Sequence, residues 1–160
     1  MKKISITILF AAASLSVQSQ TDTMATAPCA TPLEVVKTFL TAYMQKDHKT
    51  FVDLLHPDVV WEQPGDNTVS GIKKSKVELL QMGARMSALS LKTLRLNYVQ
   101  YFSPSGNNVV CILHWTAAQP TGKILDIRNV DVYTVENGKI THAKIYSEDV
   151  DKENVFWGQH

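Results

Sequence analysis

The chain is 160 residues long, with 44% apolar and 19% charged side chains and a formal charge of +1. That length suits one domain with a short appendage, and that composition can bury a core, which excludes a disordered chain. The arginines are Arg85, Arg95 and Arg128 alone, so a dedicated nucleic-acid surface is excluded too, because phosphate recognition needs clustered cations.

Residues 1–19 read as a signal peptide. Lys2 and Lys3 form a positive start, Ile4 to Val17 is a nearly unbroken run of apolar and small residues, and Val17-Gln18-Ser19 supplies a cleavage site. The run is shorter than a membrane-spanning helix and polar residues follow at once, so stable membrane insertion is not expected and the mature protein is periplasmic or secreted. Loss of the two lysines takes the formal charge from +1 to −1. Residues 20–32 are rich in Thr, Ala and Pro and poor in large apolar side chains, which describes a flexible leader. Cys29 follows Pro28 well beyond the apolar run, against lipid attachment; Cys29 and Cys111 read as unpaired thiols, Cys111 as a small core residue.

A domain spans residues 33–150, and residues 151–160 read as a C-terminal tail. Thr31-Pro32 with Glu34 forms a helix start, and Val35, Val36, Phe39, Leu40, Tyr43 and Met44 recur at helical spacing. Asp47 caps a second helix carrying Phe51, Leu54 and Leu55, which Pro57 ends. Val59 to Gln63 is a short strand closed by Pro64-Gly65-Asp66-Asn67. Ser70-Gly71 opens a third helix over residues 73–89, with Val77, Leu80, Ala84 and Leu89 among its apolar positions and Lys73, Lys74 and Lys76 on a solvated face. Four strand-like runs follow, residues 91–102, 108–118, 124–135 and 140–147, separated by short turns such as Asn137-Gly138 that imply antiparallel neighbours. The pattern is α+β: a curved antiparallel sheet with three N-terminal helices packed on one face.

The run "VVKTFLTAYMQKDHKTFVDLLHPDVVWEQPGDN", then "SGIKKSKVELL", then "RNVDVYTVENGKITHAKIY" resembles the SnoaL-like branch of the nuclear transport factor two-like superfamily, from about Leu33 to Ser147. The resemblance implies a cone-shaped barrel whose open end holds a mostly apolar pocket, and a homodimer built through the outer sheet face. Fold alone does not give the function. Ketosteroid isomerases of that superfamily use a helix-one tyrosine, an aspartate base ending the first strand and a second strand acid. An ungapped overlay puts Phe39 and Gln63 at the first two positions and Asp131 at the third. Glutamine cannot take a proton at neutral pH, and Glu62 faces the other way if the strand alternates. An Asp–Arg–Asp relay of the limonene-epoxide-hydrolase type is disfavoured because Arg128 and Asp131, three apart, face opposite sides of one strand. Polyketide cyclases of the SnoaL type use a pocket aspartate as acid and base, a role Asp131 matches.

Asp131 is therefore the candidate catalytic residue, with Tyr43, Trp61, Gln63, Trp115, Asn129 and Tyr133 as candidate ligand-binding residues. One face of the 127–133 run carries Asn129, Asp131 and Tyr133, the other Arg128, Val130 and Val132. If the first looks into the cone, desolvation raises the Asp131 carboxyl; if not, Asp131 is a structural or solvent-facing acid. Trp61, Trp115 and Tyr43 are pocket walls or ordinary core, and Gln63 either meets a ligand or satisfies the turn at Pro64-Gly65. The five histidines show no metal-ligand spacing, and neither a metal nor another cofactor is expected. Two readings stand: a binder of a small, largely apolar molecule, with lyase, isomerase or cyclase-type acid–base activity as an open extension, or a non-catalytic dimerisation module with a vestigial pocket.

Overall fold

A computed structural model describes residues 30–103 and 106–158. The signal peptide, its cleavage site, residues 20–29 of the leader and Cys29 lie outside the described residues.

Helix α1 (Pro32–Gln45) starts as its sequence directs. Thr31 is the N-cap, its hydroxyl accepts from Glu34 N, and the Glu34 carboxylate accepts from Thr31 N at 2.7 Å, a reciprocal capping box. Val35, Val36, Phe39 and Leu40 are buried along one stripe. Helix α2 (His48–Asp53) is capped by Asp47 and ends four residues before Pro57. The chain turns extended that early because Leu55 is a core residue paired with Ile140, so β1 runs over Leu55–Gln63 and Pro57 falls in an irregularity of the ladder, where a missing N–H is tolerated.

Ser70-Gly71 does not open a helix. Gly71–Lys73 is a short strand, β2, paired with Gln63 to Trp61, and helix α3 (Lys76–Leu89) is capped by Ser75 with Glu78 at the third helical position. The buried stripe of α3 is Leu79 and Met82, extended by Met86 and Leu89, whereas Val77 and Leu80 are exposed. Lys73 and Lys76 do not form one helix face with Lys74: Lys73 Nζ donates to Ser70 O and Lys76 Nζ to Val52 O. Leu91 and Lys92 take left-handed φ of 47° and 63°, so the following strand cannot begin there.

Strands β3 (Arg95–Phe102), β4 (Asn108–Ala118), β5 (Ile124–Glu136) and β6 (Lys139–Ser147) form the antiparallel meander. The β5–β6 turn, Asn137-Gly138, has φ of 50° and 73°, the two left-handed positions that match strand twist in a two-residue hairpin. The sheet order is β2-β1-β6-β5-β4-β3, and one pair, β1 with β6, is parallel. That pair makes the sheet mixed where an all-antiparallel one was expected, because β1 arrives beside β6 across α3 and the whole meander.

The segment expected as a tail is a fourth helix, α4 (Val150–Trp157), capped by Asp149. Its Phe156 and Trp157 are buried and meet edge to face at 4.7 Å. Polar contacts fix it at both sides. Asn154 Oδ1 accepts from Asp66 N (2.8 Å) and Asn67 Nδ2 (2.9 Å) on the β1–β2 connection, and Trp157 O accepts from the Thr68 hydroxyl. Gln119 and Lys123, from the β4–β5 turn, donate to Phe156 O and Val155 O. Gly65 (φ +97°) lies so close that a Cβ there would stand 2.5 Å from Asn154 Oδ1. Among the described residues no helix is long and apolar enough to cross a membrane.

Candidate functional site: a buried carboxyl pair inside the sheet

Strand β5 alternates strictly between buried and exposed positions, and that alternation decides the site. Asn129, Asp131 and Tyr133 point into the core at 7%, 3% and 1% exposure, while Arg128 and Val130 face outward. Arg128 is spent on the outer surface, with its Nη2 2.6 Å from Glu148 Oε1, an arrangement that pulls the Glu148 carboxyl down to about 2. Glu62 also faces outward, 2.9 Å from His142 Nε2 and 3.3 Å from Lys144 Nζ. His114 is outward too, against Asp126 at 2.7 Å.

Inside, Tyr133 donates to Asp131 Oδ2 at 2.7 Å, and Asp131 Oδ1 has no protein partner. Burial pushes the Asp131 carboxyl up to about 7; the Tyr133 hydroxyl pulls the other way, and the nearby Glu153 charge raises it further. Burial, followed by the neighbouring Asp131 charge, holds the Tyr133 phenol well above its usual range, so it stays a donor. Cys111, the register partner of Asp131 on β4, is buried, and its thiol is pushed up to about 12 by burial, which leaves it un-ionised.

The second acid is Glu153 on α4, a residue the sequence reading missed. It is 2% exposed and its carboxyl is raised by burial, against donors on Ser147, Asn129 and Gln63 that favour the charged form. Gln63 is 9% exposed, and its Oε1 accepts from Trp61 Nε1 at 3.2 Å and from no group of the Pro64-Gly65 turn. The only local signals for Glu153 were Asp149 as a cap and the apolar pair Phe156-Trp157 three and four residues after it.

The structure therefore brings together Asp131, Tyr133, Asn129, Gln63 and Trp61, and adds Glu153. Tyr43 and Trp115 lie apart from them. A file of rings runs from Trp61 through Tyr133 (5.9 Å), Phe39 (6.0 Å), Phe51 (4.5 Å) and Tyr43 (6.0 Å) to Trp115 (5.2 Å), so these two close the far end of the aromatic wall. Phe39, the side chain at the isomerase tyrosine position, packs against Tyr133 and offers no proton. Two surface depressions of about 410 and 430 Å³ lie elsewhere, one beside Asn137-Gly138 and one on the outer face beside Tyr98 and Arg128. Chemically, the interior holds one carboxyl raised to about 7, a second raised by burial, one neutral phenol donor, and apolar side chains around them.

Comparison with known proteins gives this arrangement a family. A protein of unknown function with a cystatin-like fold from Xanthomonas campestris is 29% identical over 81% of this chain and 100% of its own, with a TM-score of 0.77. Bal32a, from a soil-derived mobile gene cassette, is 22% identical over 79% of this chain and 96% of its own, with a TM-score of 0.75. TerC, crystallised with polyporic acid, is 19% identical over 79% and 98%, with a TM-score of 0.68. No curated protein matches the chain. The family model for the SnoaL-like domain matches residues 36–143, which hold α1 almost entire, every strand but the end of β6, and Asp131 in the lumen; the chain belongs to the SnoaL-like domain family.

Proposed function

We propose that this protein is exported and binds a small, largely apolar molecule in the lumen of its sheet, with Asp131 as the acid–base group. The observation that carries the reading is the Asp131 carboxyl, fully enclosed, held by Tyr133 on one oxygen and without a partner on the other. Burying a carboxyl beside a second one destabilises the fold, and a core that served only packing would be more stable with apolar side chains there. A carboxyl titrating near 7 can give a proton to a ligand oxygen or take one from a ligand carbon or hydroxyl, with Tyr133 steadying the negative form. The TerC structure with polyporic acid supports a ligand of modest size in this fold.

On this reading a ligand reaches Asp131 by displacing α4, whose Glu153, Phe156 and Trp157 are buried. Calorimetric titration with small molecules of one polar head and an apolar body should give saturable one-to-one binding with a negative heat-capacity change. Asp131→Asn should weaken binding of a hydroxyl-bearing member by about 1–3 kcal/mol, as loss of a charged hydrogen bond does. No saturable binding by any member would sink the reading.

The second reading, association through the outer sheet face, draws on a specific row of side chains. Val130 and Tyr146 stand opposite each other in the register, 39% and 50% exposed, with Val132 next to them on β5. We infer that this row is the contact of a homodimer, since exposed apolar rows of this kind mark interfaces. Light scattering at micromolar concentration should give twice the monomer mass, and Val130→Lys should return the monomer; a parent protein that scatters as a monomer would remove the dimer.

A further inference from the structure

Three buried oxygens in the lumen have no donor: Asn129 Oδ1, Asp131 Oδ1 and Glu153 Oε2. They are neighbours. Asn129 and Asp131 are two residues apart on the inward face of β5, so their stems are roughly 7 Å apart. Glu153 lies on α4, which packs against β5; Asn129 is among the groups that favour its charged form, and the Glu153 charge raises Asp131. The groups that act on Asp131 are Tyr133 and Glu153, and those on Glu153 are Ser147, Asn129, Gln63 and Asp149; no cation is among them. With both carboxyls ionised, the cluster is thus two carboxylates and an amide oxygen, all acceptors, with no cation among the groups that act on them.

We propose that these three oxygens form the head-group subsite of the lumen and that the group they take is a primary ammonium on a small apolar body. The inference rests on the lumen-binding reading and names its ligand class. A hydroxyl brings one hydrogen to such a site and a water two, whereas an ammonium brings three around one C–N axis, with the positive charge that a buried carboxyl pair lacks. The apolar body has matching surroundings. Cys111 and Ile145 flank Asp131 in the register, Leu113 flanks Asn129, and Val109 and Ala143 flank Tyr133, all of them buried. Glu153 is here a positioning and charge-pairing residue for the ligand head; because it rides on α4, binding of the head also fastens the helix that closes the lumen.

The test compares two probes of one length, hexylammonium chloride and 1-hexanol, titrated calorimetrically into the full protein at the same pH and ionic strength. Hexylammonium should bind one to one and at least about tenfold more tightly than 1-hexanol, the ratio expected for a charge-assisted pair. In Glu153→Gln, shown to be folded by its melting curve, that preference, taken as the ratio of the two affinities in the variant itself, should collapse. Equal affinity for the two probes in the parent protein would overturn the ammonium subsite and leave the lumen reading standing; failure of both probes to saturate would remove both. A full preference retained in Glu153→Gln would also overturn the assignment. Should that variant not fold, the comparison in the parent protein decides.

Discussion

Asp131→Asn should make the protein more stable at pH 8, not less. The folded protein holds the Asp131 proton up to about pH 7, whereas an ordinary aspartate releases it near 3.8. Between those values the folded state carries a proton that the unfolded state has lost, so the stability this group confers is complete below about pH 4 and is lost as pH rises to about 7. Above pH 7 the fold contains an ionised, desolvated carboxylate beside Glu153. Three pH units of displacement correspond to about 4 kcal/mol, which relaxation around the site reduces. Asparagine removes that penalty. Its carbonyl can still accept from the Tyr133 hydroxyl, and its amide puts a donor where Oδ1 has no partner. The expected gain at pH 8 is about 1–3 kcal/mol, shrinking to nothing near pH 4, read as the difference between two melting-temperature profiles. Glu153 is raised in the same direction, so a residual slope should persist in Asp131→Asn and flatten further in the double variant with Glu153→Gln. Parallel profiles, or a variant less stable than the parent at pH 8, would show that the Asp131 carboxyl does not carry this burden.

Asn154→Ala should release α4 and cost about 2–4 kcal/mol. The Asn154 carboxamide oxygen is 8% exposed as a residue and accepts two hydrogen bonds from the β1–β2 connection, from Asp66 N and Asn67 Nδ2. Asn67 is wholly buried, and truncating Asn154 leaves its amide nitrogen without its acceptor, the costly half of a broken pair. The helix has only eight residues, too few to persist by its own propensity, so its docking and its folding fall together. Amide hydrogen exchange should therefore rise across residues 150–157 more than in β4 or β5. Trp157 should move to a wetter environment and its fluorescence to the red. On the ligand-binding reading, the same variant should also admit ligands faster. Exchange unchanged in α4 with stability lost everywhere alike would mean that the helix is part of the core and not its gate.

Much of the site was legible in the sequence because a strand has a period of two. The apolar and polar alternation from Ile127 to Tyr133 assigns Asn129, Asp131 and Tyr133 to one face and Arg128, Val130 and Val132 to the other before any coordinates are consulted. The burial of β5 follows that alternation residue by residue. Helix α1 was equally plain, since its cap, its proline and its apolar stripe all point to the same start. Helix α3 was harder. Val77 and Leu80 share the spacing of a buried face, but the cap at Ser75 and the contact with β1 turn Leu79 and Met82 inward instead.

By itself, then, the sequence determined helices α1 and α2, strand β1 and the meander from β3 to β6 in chain order, the family resemblance carried by "PDVVW", "PGDN" and "VENGKI", and which side chains of β5 share a face, because each of these depends on neighbours within a few residues. Only the tertiary structure decided that β1 lies parallel to β6, that Tyr43 and Trp115 stand at the far end of the ring file, and that a second acid enters the site. Glu153 lies twenty-two residues beyond Asp131 in a short, charged segment with the composition of a solvated tail. What buries it is the docking of α4, and that docking is set by Asn67, Thr68, Gln119 and Lys123, residues more than thirty positions away from their partners on the helix. Local propensity carries no trace of such contacts; their free energy exists only once the sheet has curved and brought those loops to one end of the lumen.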